Sequence, residues 1–385
     1  MIAEYVGELN VLLQATLGPG WPRLAWLLGS LLEFFTGPIT GMRTRFHWLD
    51  IAVSAGFVVA VFLWHRRWRH RRKHGLRSLL RWSFPARMYL HRSTWVDFQL
   101  ILANHFFANS FMITWRLGTA LMTGGLISAM TWAFGPPPGL LQWSTGMAVA
   151  VTFLIFLMDD LGFYLFHLAS HKIPALWAFH KVHHSAEVLT PLATGRIHPV
   201  EYAVMQPIKA MTISLAVAPI LYVTEGAFTP YEVAGMSIAV AVFYSTGQML
   251  HHSHFWISFG PTLERWLISP AQHQIHHSVD PRHWDKNLAG YFAFWDWMFG
   301  TLYVTHGRER LTFGLGPGVV QPHTGVVSSY LVPFWQAIPM YRKLEAWLHA
   351  RLAPVGIDLP FDGSGWRSWL RARLAAVPGA AATPE

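Results

Sequence analysis

"DLGFYLFHLASH" (residues 160–171) closes the apolar run 146–166. A run of that length approaches the ~20 residues that carry a helix across a bilayer. Asp160, Tyr164, His167 and His171 follow at intervals of 4, 3 and 4, which is one stripe on a helix. Two histidines at i and i+4 can hold one metal ion side by side. A carboxylate within an apolar run is costly without a partner. The expected partner of Asp160 is the second ring N–H of a metal-binding histidine, reached directly or through Tyr164. Asp159 points about 100° away on the same helix and is expected to matter less.

Outward from this stretch, apolar runs recur at 48–64, 98–114, 117–134, 204–223 and 232–250. Only 13% of the 385 residues are charged, against roughly a quarter in an average soluble domain. No alternating strand pattern competes with the long runs. The expected fold class is therefore all-α: an integral membrane helical bundle with a cytoplasmic, histidine-rich di-metal cap. Residues 1–97 read as a membrane anchor with a basic juxtamembrane segment, 98–345 as the catalytic membrane domain, and 346–385 as an amphipathic to disordered tail. Met1–Phe35 lacks the charge order of a secretory signal, with Glu4 and Glu8 ahead of Arg23. It reads as an interfacial helix or a short broken span.

The net charge of +9 is concentrated in "HRRWRHRRKHGLRSLLRW" (65–82). Directly after an apolar run, such a block anchors the cytoplasmic face against anionic lipid, and no nucleic-acid partner is expected. The runs 204–223 and 232–250 read as a hairpin, which places every clustered histidine on one membrane face. Two full crossings in 98–134 would put that face outside, and one crossing would put it inside. The cytoplasmic side is expected, because redox partners are found there.

Two near copies of H-x-x-H-H carry the chemistry: "HKVHHS", with His180, His183 and His184, and "HQIHHS", with His273, His276 and His277. There are 22 histidines and no cysteine, so any metal is held by nitrogen or oxygen. The candidate ligands exceed the needs of one ion and fit two. Imidazole suits zinc, copper, iron and nickel. A zinc hydrolase of the H-E-x-x-H type is not spelled here. The count points to iron and dioxygen. A histidine-lined metal transporter and a di-metal membrane hydrolase are the alternatives. His105 reads as a core residue, His283 and His306 stay undecided, and His47, His65, His70, His74, His323 and His349 read as surface or interface residues.

These pieces resemble the fatty acid hydroxylase / sterol desaturase superfamily, in its bacterial type. "DLGFYLFHLASH", "HKVHHS", "RIHPVE", "HHSHF" and "SPAQHQIHHSVDPRHWDKNLAGYFAFWDWMFGTLYV" carry the resemblance, in order, over about 155 to 305. It implies a non-haem centre of two iron ions. Dioxygen would be co-substrate, and the reaction hydroxylation or desaturation of a lipid, sterol or fatty-acyl C–H bond. It implies ligands at His167, His171, His180, His183, His184, His273, His276 and His277, with His252 a better match than His254 for a further one. His198 in "RIHPVE" is an expected additional metal residue. Glu201 beside it is an expected supporting carboxylate, as are Asp285 and Asn287 near the late motif. No cytochrome b5-like domain is fused in the sequence. The external electron donor is therefore expected to be a separate cytochrome b5-like or ferredoxin-type protein. The expected substrate is a membrane lipid and the expected location a bacterial inner membrane. No oligomeric state follows from the sequence.

Overall fold

The computed structural model describes residues 48–69, 76–224, 232–233, 236–237 and 250–352. The readings of Met1–Phe35 and of the tail beyond 352 lie outside these residues, as does most of the run 232–250.

The helices are α1 (Trp48–Arg69), α2 (Leu76–Ser83), α3 (Ala86–Tyr89), α4 (Arg92–Phe134), α5 (Thr145–Lys172), α6 (Pro174–His184), α7 (Pro199–Val223), α8 (Gly260–Leu263), α9 (Pro270–His276), α10 (Phe294–Phe299) and α11 (Val326–Leu352). Among the described residues, the only β-structure is an antiparallel pairing of Glu232–Val233 with Met236–Ser237. Among the described residues, three segments are long and apolar enough to cross a bilayer: Leu117–Phe134 within α4, α5 and α7. The chain is an all-α integral membrane protein.

The runs 98–114 and 117–134 belong to one helix, not to two spans. Helix α4 has 43 residues, about 65 Å at 1.5 Å per residue, roughly twice the hydrocarbon core of a bilayer. Gly118, Gly124 and Gly125 do not break it, because glycine inside a helix costs only about 1 kcal/mol and α7 packs along its side. The first half of α4 is docked on the histidine cap. There Asn104 Nδ2 donates to the carbonyls of Gly195 and Ile197 at 2.9 and 2.7 Å. The second half is the span.

Where α7 packs against α4 and against α5, small and hydroxylated residues let the helices approach. Thr123 Oγ1 and Ser214 Oγ lie 3.0 Å apart, and Thr212 Oγ1 donates to Met158 O at 2.7 Å. Gly162 makes the α5–α7 contact possible, since a Cβ there would sit 2.6 Å from Lys209 Cα. At the far end, Tyr222 Oη donates to Gly135 O at 2.8 Å.

The start of α4, the end of α5 and the start of α7 therefore share one end of the bundle, and the cap is built there. The basic-flank helices lie at that end too. Arg92 pairs with Glu187 at 2.9 Å, and Trp82 O meets His254 Nε2 at 3.0 Å. Fully buried Arg196 ties the start of α4 to the cap. Its Nε donates to Asp97 at 2.6 Å, and its amino groups donate to Ser185 Oγ and Ser93 O at 2.8 and 2.9 Å.

Candidate metal centre

Nine histidines converge in two abutting groups. His167 and His171 from α5, His180 and His184 from α6, and His276 from α9 form the first; His183, His252, His273 and His277 form the second. Within each group the nearest ring nitrogens all lie within 4.8 Å of one another. The rings of His184 and His277 stack across the boundary, with centroids 4.6 Å apart.

The doubled H-x-x-H-H now has a physical reading. On a helix, residues i and i+4 differ by about 40° around the axis, while i+3 and i+4 differ by about 100°. The motif on α6 gives His180 and His184 to the first group and His183 to the second. The motif at α9 does the reverse, giving His273 and His277 to the second and His276 to the first. Each copy thus straddles both groups, and the two copies complement each other. Capping fixes α9 in place: Ser269 and Gln272 form a capping box at its start.

Protonation chemistry shows what the groups fit. The outer Nδ1 atoms face acceptors: His167 meets Leu288 O at 2.6 Å, His180 meets Glu201 at 2.7 Å and His183 meets Arg196 O at 3.2 Å. His276 meets Lys286 O at 2.9 Å and His171 meets Asp285 at 3.2 Å. A neutral imidazole with its proton on Nδ1 carries a lone pair on Nε2. Yet the Nε2 atoms face one another, at 3.0 Å for His167 and His180 and 3.1 Å for His252 and His183. Two lone pairs cannot hydrogen-bond to each other. Nε2 of His171 and of His276 is buried with no partner. Protonation is no remedy, because burial holds His180, His184, His273, His276 and His277 well below the ordinary value of 6.5, and neighbouring imidazoles push the same way. A metal cation resolves the conflict. Two nitrogens each about 2.1 Å from one ion and at right angles lie about 3.0 Å apart.

Several expectations are corrected. Asp160 does not touch a histidine: its carboxylate accepts the backbone N–H of Tyr291 and of Phe292, each at 2.9 Å. It holds a loop. Gly290 permits this approach, since a Cβ there would lie 2.8 Å from Asp160 Oδ1. Tyr164 pairs with Thr301 Oγ1 at 3.0 Å and belongs to the apolar cluster with Ile268, Leu288 and Trp295. His198 stands outside both groups. It caps α7, with Nδ1 accepting the Val200 amide at 3.1 Å and Nε2 on Tyr330 O at 3.0 Å, so neither nitrogen is free for a metal. His254 is likewise outside, and His252 inside. Glu201 lies where a supporting carboxylate was expected, and it also accepts the His198 amide at 2.8 Å. His323, read as a surface residue, is buried, as is His283.

Sequence reading missed Asp296 and Glu264. Buried Asp296 accepts the amides of Leu288 and Ala289 at 2.7 and 2.9 Å and the Thr301 hydroxyl at 2.6 Å. Burial pushes its carboxyl up to about 6. Glu264 accepts from Ser269 Oγ at 2.8 Å and from the Thr305 amide at 2.9 Å. The signal for Asp296 was available: a lone carboxylate inside "YFAFWDWMF". That stretch divides, with Tyr291 and Trp295 buried and Trp297, Met298 and Phe299 exposed.

Residues 152–301, which contain all nine converging histidines, match the family model described as fatty acid hydroxylase. The chain is similar to alkylglycerol monooxygenase of Homo sapiens, 29% identical over 218 residues, 55% of this chain and 41% of that protein. It is similar to cholesterol 25-hydroxylase of Homo sapiens, 30% identical over 148 residues, 38% of this chain and 48% of that one. To ornithine lipid hydroxylase OlsE of Rhizobium tropici it is 25% identical over 163 residues, 42% of this chain and 44% of that one. It spans less than half the length of each of these relatives. No solved structure matches it. Over residues 152–301 the chain thus resembles the fatty acid hydroxylase family, and the relatives it matches are lipid and sterol hydroxylases or monooxygenases.

Proposed function

We propose that this chain is a membrane-bound oxygenase that uses two iron ions to hydroxylate a C–H bond of a lipid. Dioxygen is the co-substrate, and electrons come from a separate donor. The observation that carries this reading is the division of nine converging histidines, eight of them buried, into two abutting groups at the end of the membrane helices. The relatives are named for acting on alkylglycerol, cholesterol and ornithine lipid. Those names favour hydroxylation over desaturation.

In this reading His167, His171, His180, His184 and His276 hold one ion, and His183, His252, His273 and His277 hold the other. Bound iron supplies the reduction of dioxygen and the oxidising power for an unactivated C–H bond. The chain supplies everything else. Glu201, Asp285 and the carbonyls of Leu288, Arg196 and Lys286 fix the outer ring protons, which keeps the inner nitrogens unprotonated and aimed inward. Asp160 and Asp296 position the loop that carries two of those carbonyls. Burial keeps bulk water out of the site.

A di-metal hydrolase would want a carboxylate among the ligands. Glu201 and Asp285 instead face outer ring nitrogens. The basic helices 76–97 share the histidine end of the bundle, which supports a cytoplasmic site by the positive-inside rule. A bacterial inner membrane and a ferredoxin-type or cytochrome b5-like donor reaching the site from the cytoplasm complete the proposal.

Lipid mass spectrometry of membranes with and without the protein tests it. The expected product gains one oxygen and requires iron and dioxygen. Loss of two hydrogens would redirect the reading to desaturation. Turnover that is independent of oxygen, with zinc bound, would overturn it.

A further inference from the structure

Of the rings packed against the first histidine group, Phe163 and Trp177 are the two among the described residues that are not imidazole. Phe163 meets His167 with centroids 5.2 Å apart. Trp177 meets three members: His171 at 5.3 Å, His184 at 5.3 Å and His180 at 6.1 Å. The sequence arranges this, because Trp177, His180 and His184 fall at i, i+3 and i+7 on one face of α6, and His171 faces them from α5. Trp177 is only partly buried, so its ring reaches from the metal ligands to the surface.

Indole is readily oxidised by one electron, whereas phenylalanine and neutral imidazole are far harder to oxidise. The chain has no cysteine to serve instead. An oxidant strong enough to attack an unactivated C–H bond is also strong enough to take an electron from indole. When the lipid is absent, that oxidant has the histidines themselves as targets.

We infer that Trp177 is the outlet through which an oxidising equivalent left at the first histidine group escapes to the surface. This rests on the oxygenase reading above. In the step, the indole gives up one electron to the centre and its N–H proton to water, becoming a neutral radical. A small reductant in solution returns the electron and water returns the proton. Trp177 is thus a relay residue and takes no part in the hydroxylation itself.

The test uses the full chain in lipid nanodiscs, loaded with iron, stripped of free iron and given hydrogen peroxide with no lipid substrate added. Peroxide supplies both the oxygen and the oxidising equivalents. Peptide mass spectrometry then locates the oxidised residues, electron paramagnetic resonance looks for an organic radical, and iron retention is followed with each addition. The expected result is a transient radical and oxidation centred on Trp177. In Trp177→Phe, which should load the same iron, the damage moves to His171, His180 and His184, and iron is lost severalfold faster. Trp177→Tyr, whose ring is again oxidisable, restores protection; a packing role would not separate Tyr from Phe in this way. Histidine oxidation in the wild type with Trp177 untouched, or equal iron loss in all three proteins, overturns the inference alone. Iron-loaded wild type that oxidises nothing beyond what metal-free protein does overturns the oxygenase reading and the inference with it.

Discussion

His167 and the carbonyl oxygen of Leu288 lie 2.6 Å apart, the shortest of the contacts that orient the outer ring nitrogens. The carbonyl is held from behind. Asp296 accepts the Leu288 amide, and Asp160 accepts the amides of Tyr291 and Phe292. Two buried carboxylates thus set a backbone segment, and the backbone sets the histidine.

Asp160→Asn tests that chain of support. A carboxamide oxygen can accept one of the two amides, but its NH2 then faces the other N–H. The variant should lose about 1–3 kcal/mol of stability, the usual cost of stranding a buried polar group. It should bind iron at the first group about 10-fold more weakly, as expected when a support behind a ligand is loosened. Asp159, by contrast, pairs with Lys209 at 2.8 Å and is partly exposed, so Asp159→Asn should cost at most about 1 kcal/mol. Thermal melts and iron content of both variants decide. Wild-type behaviour of Asp160→Asn would remove the loop from the account.

Glu201→Gln changes one atom where two elements meet. The carboxylate accepts His180 Nδ1 at 2.7 Å and the His198 amide at 2.8 Å. Glutamine can keep the capping contact, but its NH2 would oppose the ring N–H of His180 and favour the wrong tautomer. A loss of about 10- to 100-fold in iron affinity or activity is expected, with the melting temperature of the metal-free protein changed little. Competition with a chelator measures the first and calorimetry the second. Equal iron affinity in variant and wild type would contradict it.

Acid should destabilise the metal-free protein. Burial keeps His180, His184, His273, His276 and His277 below 6.5 in the folded chain, while in the unfolded chain they titrate near about 6.5. Above that value both states are neutral at these sites and stability is insensitive to them. Below it the unfolded state binds protons that the folded state refuses, so stability falls as pH falls. Melting temperatures of chelator-treated protein should drop between about pH 7 and about pH 5.5. A flat or rising profile would show that these rings protonate in the folded cap.

Gly162→Ala should weaken the membrane bundle without touching a metal ligand. Its Cβ would press on the Lys209 backbone at 2.6 Å, and overpacking of that kind costs about 1–3 kcal/mol. Detergent-resistance melts check it, with iron per folded chain expected to be unchanged.

The apolar runs and the two H-x-x-H-H copies made the helical membrane fold and most of the converging histidines readable in advance, because both are short-range patterns on a helix. The supports were less readable. Asp160 lies on the histidine stripe, yet its partners are amides 131 and 132 residues away, a relation created by tertiary folding. His198 looked like a ligand from its neighbours in sequence, but it sits at the first turn of α7, where orphan amides claim a side-chain acceptor. The number of crossings in 98–134 stayed open in the sequence, because hydropathy does not record that the first part of one long helix, Arg92–Phe134, docks on the histidine cap and only Leu117–Phe134 is left as a span.

The central claim is that each H-x-x-H-H copy serves both ions. Metal analysis of purified wild type, His276→Ala and His273→Ala tests it most directly, with the remaining iron characterised by Mössbauer spectroscopy. The wild type should carry two iron ions per chain. His276→Ala should deplete the site of His167, His171, His180 and His184 and leave the other occupied. His273→Ala should do the opposite, so the two variants keep different spectral components. Loss of the same component in both variants, or wild-type iron in either, would contradict the division.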